Sequence, residues 1–306
     1  MPTTAEPIGF LGIGAMGHGM ATSAMRAGIP TIVWNREPET TRDLAELGAD
    51  VATTAAEAAG RATVVVTMVT NADAVISIAS DQGMLAALPT NAIWVQMSTI
   101  GVDGIEQVAA LVRAERPDVT LVDAPVSGSK DPAANGELTI FASGPDEARD
   151  RVTPLFDALG RRTVWLGALG NGSRMKVVNN TWLAFGAEAV AASVALAQRL
   201  GLDAETVADT LGDGPLVSAW QAAKLERIAA DEFSAQFALA LALKDVRLAL
   251  QAADGERFTA LASLAREWQR AIDHGLGDQD VTVITRELEP PGGATGAGME
   301  ASVKSG

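Results

Sequence analysis

Two side chains four residues apart, Lys176 and Asn180, are the pair in this 306-residue chain best suited to move a proton at neutral pH. They lie in the stretch Gly170-Asn-Gly-Ser-Arg-Met-Lys-Val-Val-Asn-Asn180. On a helix, positions i and i+4 sit above one another on one face, so an ammonium and a carboxamide reach one small substrate together. The chain has no cysteine, which excludes thiolate nucleophiles, disulfides and Cys-based zinc sites. With only His18 and His274, neither a His-rich metal cluster nor a Ser-His-Asp arrangement is expected, and no metal site is assigned. The spacing of Lys176 and Asn180 describes an ordinary solvated helix face equally well. The elements upstream have to decide between the two.

Up to about Gly167, short β-branched runs alternate with Ala-rich segments of helical spacing. Ile8–Leu11, Thr31–Trp34, residues 63–69, residues 93–97 and Thr120–Asp123 are near-continuously apolar, as buried parallel strands are. Leu138–Ala142 and residues 163–166 are expected as further strands. Residues 16–27, 38–47 and 102–113 carry helical spacing between strands. This alternation implies an α/β fold with a doubly wound sheet. Beyond Gly167 the strand signals fade. Residues 171–200 form one long helical pattern stopped by Gly201, and Asp203 caps the next helix. Gly214-Pro215 ends that one, and residues 217–230 form another. Phe237, Leu239, Leu241 and Leu243 alternate with alanine at period two, which predicts an extended lead-in turning helical near Lys244. Gly275–Gly277 is a turn and Asp280 caps a last short helix. The expected organisation is a nucleotide-binding domain over 1–168, an all-α region over 169–288, and a flexible Gly/Pro-rich tail over 289–306.

Composition limits the partners. The net charge of −15 argues against nucleic acid and against an anionic membrane surface. The N-terminus lacks a signal-peptide pattern, and the longest apolar stretch, residues 181–197, is interrupted by Glu188 and Ser193. A soluble, cytoplasmic protein is expected. Apolar residues make up 48% of the chain but aromatics only 4%, so the core is Ala, Val and Leu.

The strongest local signal is Gly12-Ile13-Gly14-Ala15-Met16-Gly17, directly after the first strand and opening a helix. The first glycine allows the tight turn, the second lets a pyrophosphate approach the backbone, and the third lets helix and strand pack closely. At the end of the second strand, where an acidic residue would take the ribose hydroxyls of NAD, the chain has Asn35 and Arg36. A guanidinium suits a 2′-phosphate, which favours NADP(H). Glu37 pulls the other way, and Arg36 is otherwise an ordinary surface arginine.

Several segments together resemble the β-hydroxyacid dehydrogenase family. They are Phe10 to Gly17, Met97-Ser-Thr-Ile100, Asp123-Ala-Pro-Val-Ser-Gly-Ser129, Gly170-Asn-Gly172 with Lys176 and Asn180, and Lys244-Asp245, in family order. The loop 127–133 is most similar to the glyoxylate and succinic semialdehyde reductase branch. The resemblance implies a Rossmann N-terminal domain, a long interdomain helix, an all-α C-terminal domain that forms a homodimer or homotetramer, and a small anionic carbonyl or hydroxy-acid substrate. It implies that Lys176 is the general acid/base and that Asn180 orients the substrate or the lysine. Ser127, Gly128 and Ser129 would hold a substrate carboxylate. Met68, Val69 and Thr99 would flank the nicotinamide and its ribose, and Lys244 would close over the cofactor. Trp220 would line the substrate pocket or fill the helical core or a dimer interface. Without the family, residues 123–129 are a strand end and a loop, and Lys244 is a solvated lysine. Two other functions fit the same features: an imine reductase, which needs no proton donor, and a non-catalytic dinucleotide-binding sensor or scaffold.

Overall fold

Six short strands pair in parallel into one sheet: β1 (Ile8–Leu11), β2 (Thr31–Trp34), β3 (Asp50–Val51), β4 (Val64–Thr67), β5 (Ile93–Gln96) and β6 (Thr120–Asp123), in the order β3-β2-β1-β4-β5-β6. The computed structural model describes residues 6–253 and 257–288, and the expected flexible tail from residue 289 lies outside the described residues. Every residue of β1, β2, β4 and β5 is buried, because helices cover both faces of the sheet. Phe10, Val33, Val66 and Val95 pack into one apolar core, and Leu11, Ile32, Val65 and Trp94 into the other. Strand order reverses between β1 and β4, the point at whose carboxyl ends doubly wound sheets bind their ligands.

Buried polar side chains shape the strand ends. Trp94 Nε1 donates to Thr67 Oγ1 at 2.9 Å. Gln96 holds Ser98 through both its backbone amide and its carbonyl, and the Ser98 hydroxyl accepts from the Val69 amide at 2.8 Å.

The expected strands at 138–142 and 163–166 exist, but they do not extend this sheet. They form a second one with residues expected to be a turn and loop: β7 (Val126–Ser127) runs antiparallel to β8 (Leu138–Ala142), which runs parallel to β9 (Gly160–Trp165). Pro125 has no amide to give to a ladder, so the chain leaves the large sheet at Asp123. A single antiparallel bridge between Asp123 and Ser143 links the two.

The helix Asn171–Arg199 runs for 29 residues and ends before Gly201, whose φ is +84°. By length and composition it would suffice to cross a bilayer, contrary to the sequence expectation, yet its buried residues include the hydrogen-bonded Ser173 and Asn180, as in the core helix of a globular protein. The helix Leu239–Ala252 starts earlier than the period-two pattern predicts. Its buried residues Leu239, Ala242, Leu243, Val246 and Ala249 follow helical spacing, while Leu241 is 41% exposed, so small alanines had made one pattern look like the other.

Two compact units result: residues to Ala184 with Leu241–Arg266, and Phe185–Ala240 with residues from Glu267. The division falls inside the long helix rather than at its start. In the second unit the Lys224 ammonium, 2% exposed, donates to both oxygens of fully buried Asp280 at 2.9 Å, and that carboxylate also takes the amides of Gln236 and Phe237. Trp268 Nε1 donates to Glu188 at 2.8 Å, and burial, with Glu267 beside it, pushes the Glu188 carboxyl up to about 7.

Candidate active site

The glycine loop follows from what surrounds each glycine. A Cβ on Gly12, whose φ is +102°, would lie 2.4 Å from the Met68 carbonyl oxygen, and one on Gly17 would lie 1.9 Å from that of Gly12. A Cβ on Gly14 would meet nothing within 4 Å, because it points into open space where a ligand backbone can approach. Gly14 and Ala15 are exposed, Met16 is half-buried, and the helix Ala15–Arg26 begins with no side-chain cap and no acidic residue in its first turn. Its first amides therefore offer an uncompensated positive end to an anion. Ile13 itself is buried, and its amide donates to Asn35 Oδ1 at 3.1 Å.

Asn35 is thus occupied by the protein: its Nδ2 donates to Thr40 Oγ1 at 2.7 Å and to the Glu37 carbonyl. It ties the end of β2 to the glycine loop. Arg36 beside it is exposed and makes no hydrogen bond or ion pair with any described residue. This is a set of groups that fits a dinucleotide, with an unpaired cation just beyond the end of β2.

The expected catalytic residues come together in the first unit. Lys176 is half-buried, and its ammonium makes no hydrogen bond among the described residues. The protein packed around it pushes its pKa down to about 8. Asp245 acts against that shift, and the Lys244 charge adds to it. Asp245 is only 6% exposed. Asn180 Nδ2 donates to Asp245 Oδ2 in a short contact, and Lys244 Nζ lies 2.8 Å from Asp245 Oδ1. That second contact is a charge contact out of hydrogen-bond alignment, since Oδ1 has no hydrogen-bond donor. Lys244 Nζ also donates to the Thr99 carbonyl at 2.8 Å. Thr99 and Lys244 line a cavity of about 280 Å³ with Asn71, Gln107 and Gln251. Met68 and Val69 are half-buried after β4.

Asn180 has both ends of its carboxamide taken, the second by Asn179 Nδ2 at 2.9 Å. It therefore orients the carboxylate that bears on Lys176. On the other side of Asn179, the Ser127 hydroxyl donates to Oδ1 at 3.5 Å. Gly128, at φ +140°, is exposed, and Ser129 precedes the short helix Lys130–Asn135. Trp220 belongs to the second unit. It is 36% exposed, with the Lys224 ammonium 5.6 Å from its ring centre, so it is not the core residue that was one expectation.

Asn179 and Asp245 are site residues that the sequence alone does not single out. The signal for Asp245 was its place beside Lys244 in a matching segment; for Asn179 there was only its adjacency to Asn180.

A Rossmann sheet and an uncapped glycine-loop helix are the framework of a nicotinamide dinucleotide-dependent oxidoreductase. Residues 7–167 match the family model described as the NAD binding domain of 6-phosphogluconate dehydrogenase. Residues 170–288 match that described as NAD-binding of NADP-dependent 3-hydroxyisobutyrate dehydrogenase. The chain is 30% identical to glyoxylate/succinic semialdehyde reductase 1 of Arabidopsis thaliana, over 92% of this chain and 98% of that one. It is 34% identical to the uncharacterized oxidoreductase YfjR of Bacillus subtilis, over 91% and 98%. The 3-hydroxyisobutyrate dehydrogenase structure from Salmonella typhimurium superposes with a TM-score of 0.83 at 27% identity, covering 92% and 99%. The chain belongs to the β-hydroxyacid dehydrogenase family and is an NAD(P)-dependent dehydrogenase of the type acting on a CH–OH group.

Proposed function

We propose that this protein is an NADP(H)-dependent reductase of a small carboxylate-bearing aldehyde or keto acid, running in reverse as a hydroxy-acid dehydrogenase. The observation that carries the reading is Lys176: an ammonium without a hydrogen-bond partner, its pKa lowered to about 8. Such a group gives a proton to a carbonyl oxygen in one direction and, as a neutral amine, takes it from a hydroxyl in the other. When bound, the nicotinamide supplies or accepts the hydride. Asp245, held by Asn180 and Lys244, keeps a negative charge near Lys176 and prevents its pKa from falling further. Backbone amides around Ser127 to Ser129, with the Ser127 hydroxyl, hold the substrate carboxylate. The substrate class also rests on the similarity to the Arabidopsis reductase.

The NADP preference rests on Arg36, exposed and unpaired where a 2′-phosphate would lie. Arg36→Ala should raise the NADPH dissociation constant about tenfold, the loss of one charge-assisted contact, and leave NADH binding little changed. Assembly as a homodimer is proposed from the long helix, where Val178 is 60% and Trp182 84% exposed.

The test is NADPH consumption by purified protein against a panel. Succinic semialdehyde and glyoxylate should be reduced faster than butanal or acetaldehyde. A preference for cyclic imines would transfer the site to C=N reduction, and no hydride transfer with any substrate would leave a binding protein.

A further inference from the structure

We infer that Asp123 is a positioning residue for Lys176: its buried carboxylate grips the first turn of the long helix and so sets where the lysine one turn later stands. The inference rests on Lys176 being the proton donor.

Asp123 is the last residue of β6 and is fully buried. Its Oδ2 accepts from the Ser173 amide at 2.7 Å, and its Oδ1 accepts from the Ser173 hydroxyl at 2.8 Å. The Ser143 hydroxyl, beyond β8, reaches both the Asp123 carbonyl and Oδ2 at 3.3 Å, and accepts from the Gly172 amide at 2.9 Å. One carboxylate and one hydroxyl therefore tie the large sheet, the small sheet and the helix start together. The fit leaves no slack, since a Cβ on Gly172 would lie 2.3 Å from the Phe141 carbonyl oxygen. A carboxylate at a helix N-terminus is also favoured by the dipole. Asp123, Ser143, Gly172 and Ser173 are all buried, so these bonds serve the placement of the helix.

Burial pushes the Asp123 carboxyl up to about 6, while the donors from Ser173 and Ser143 hold it back. The charge that bears on it is Arg174, in the same turn, itself paired with Glu106 of the helix Gly101–Glu115 at 3.1 Å. β8 contributes only the serine hydroxyl beyond its end. The grip is thus strongest when Asp123 is ionised, and it weakens as the pH falls through about 6.

The experiment measures kcat for aldehyde reduction against pH at saturating substrate, with the cofactor dissociation constant measured separately. The intact protein should give a bell: an acid limb near pH 6 and an alkaline limb from Lys176. Asp123→Asn should lower kcat about tenfold, as a displacement of well under 1 Å at a catalytic group can. It should also abolish the acid limb and leave cofactor binding unchanged. Ser173→Ala, which removes one hydroxyl and keeps the fold if Asp123→Asn does not, should move the acid limb to higher pH, because a donor that lowered the carboxyl's pKa is gone. An acid limb at the same pH in Ser173→Ala, or kcat in Asp123→Asn equal to that of the unmodified protein, overturns the proposal. Lys176→Ala is run alongside. If it reduces at the normal rate, the proton-donor reading falls and this one with it. If it is slow while the two anchor variants are normal, only the anchor fails.

Discussion

Raising the pH from 7 to 9 should slow carbonyl reduction about tenfold and speed alcohol oxidation by a similar factor. With Lys176 at about 8, the ammonium is about nine-tenths protonated at pH 7 and about one-tenth at pH 9. A lysine at the ordinary value of 10.5 would leave reduction flat across that interval and speed oxidation about a hundredfold instead of tenfold, because its neutral fraction would still be climbing. Lys176→Ala should lower kcat for reduction by about 10²–10⁴ and remove the alkaline limb, with cofactor affinity little changed. Lys176→Arg should rescue poorly, because a guanidinium does not release its proton near neutrality. The same shift has a cost in stability. The fall from 10.5 to about 8 corresponds to an upper limit of about 3 kcal/mol, reduced toward about 1 because the side chain is only half-buried. Lys176→Met should therefore be more stable than the parent. The sign is definite: the penalty is present in full below pH 8, where both folded and unfolded lysines are charged, and fades as the pH rises toward 10.5. Reductase rates followed by NADPH absorbance and urea melts at pH 7 and 10 check both halves. A flat reduction profile to pH 9 in the parent, or a Lys176→Met protein less stable at pH 7, would refute the reasoning.

Two further outcomes concern the scaffold. Gly172→Ala forces a Cβ to within 2.3 Å of one carbonyl oxygen and 2.7 Å of another, and should lower urea-melt stability by about 1–3 kcal/mol, with kcat falling before the fold is lost. Glu188, with its carboxyl raised to about 7, weakens the second unit as the pH rises from 4.5 through 7. Glu188→Gln should melt higher than the parent at pH 8 and equal to it near pH 4, and a difference that persists unchanged at pH 4 would remove titration as the cause.

What the sequence revealed depended on whether a residue's reason was local. Gly17 is required by the Gly12 carbonyl within the same β-turn-α unit, and Gly12 by its own positive φ as well as by the distant Met68 carbonyl, and their spacing announced them. β1, β2, β4 and β5 were legible because burial on both faces demands unbroken apolar runs. Asp203 and Asp280 were legible because each caps the amide of Thr206 or Thr282, two or three residues on. The role of Asp245 was not, because it exists only when residues 241–252 fold back against Asn180, 65 positions earlier. The tie from Asn35 to the glycine loop was hidden for the same reason: its partner is the Ile13 amide, 22 positions earlier. β7 was hidden by its length of two residues, too short for any period to show.

The first unit is discontinuous in the chain, closing at Ala184 and resuming at Leu241. During synthesis, the glycine loop, Thr99, Asp123 and Lys176 all emerge before Lys244 and Asp245 exist. At about 5–20 residues per second, the intervening residues 185–240 occupy the ribosome for several seconds. For that interval Asn180 has no carboxylate to hold, and the Lys176 ammonium has no counter-charge. The surroundings of Lys176 are therefore completed only when the last segment of the unit arrives. A substitution within residues 185–240 that slows the nascent helices prolongs the life of an unfinished active site without touching any residue in it.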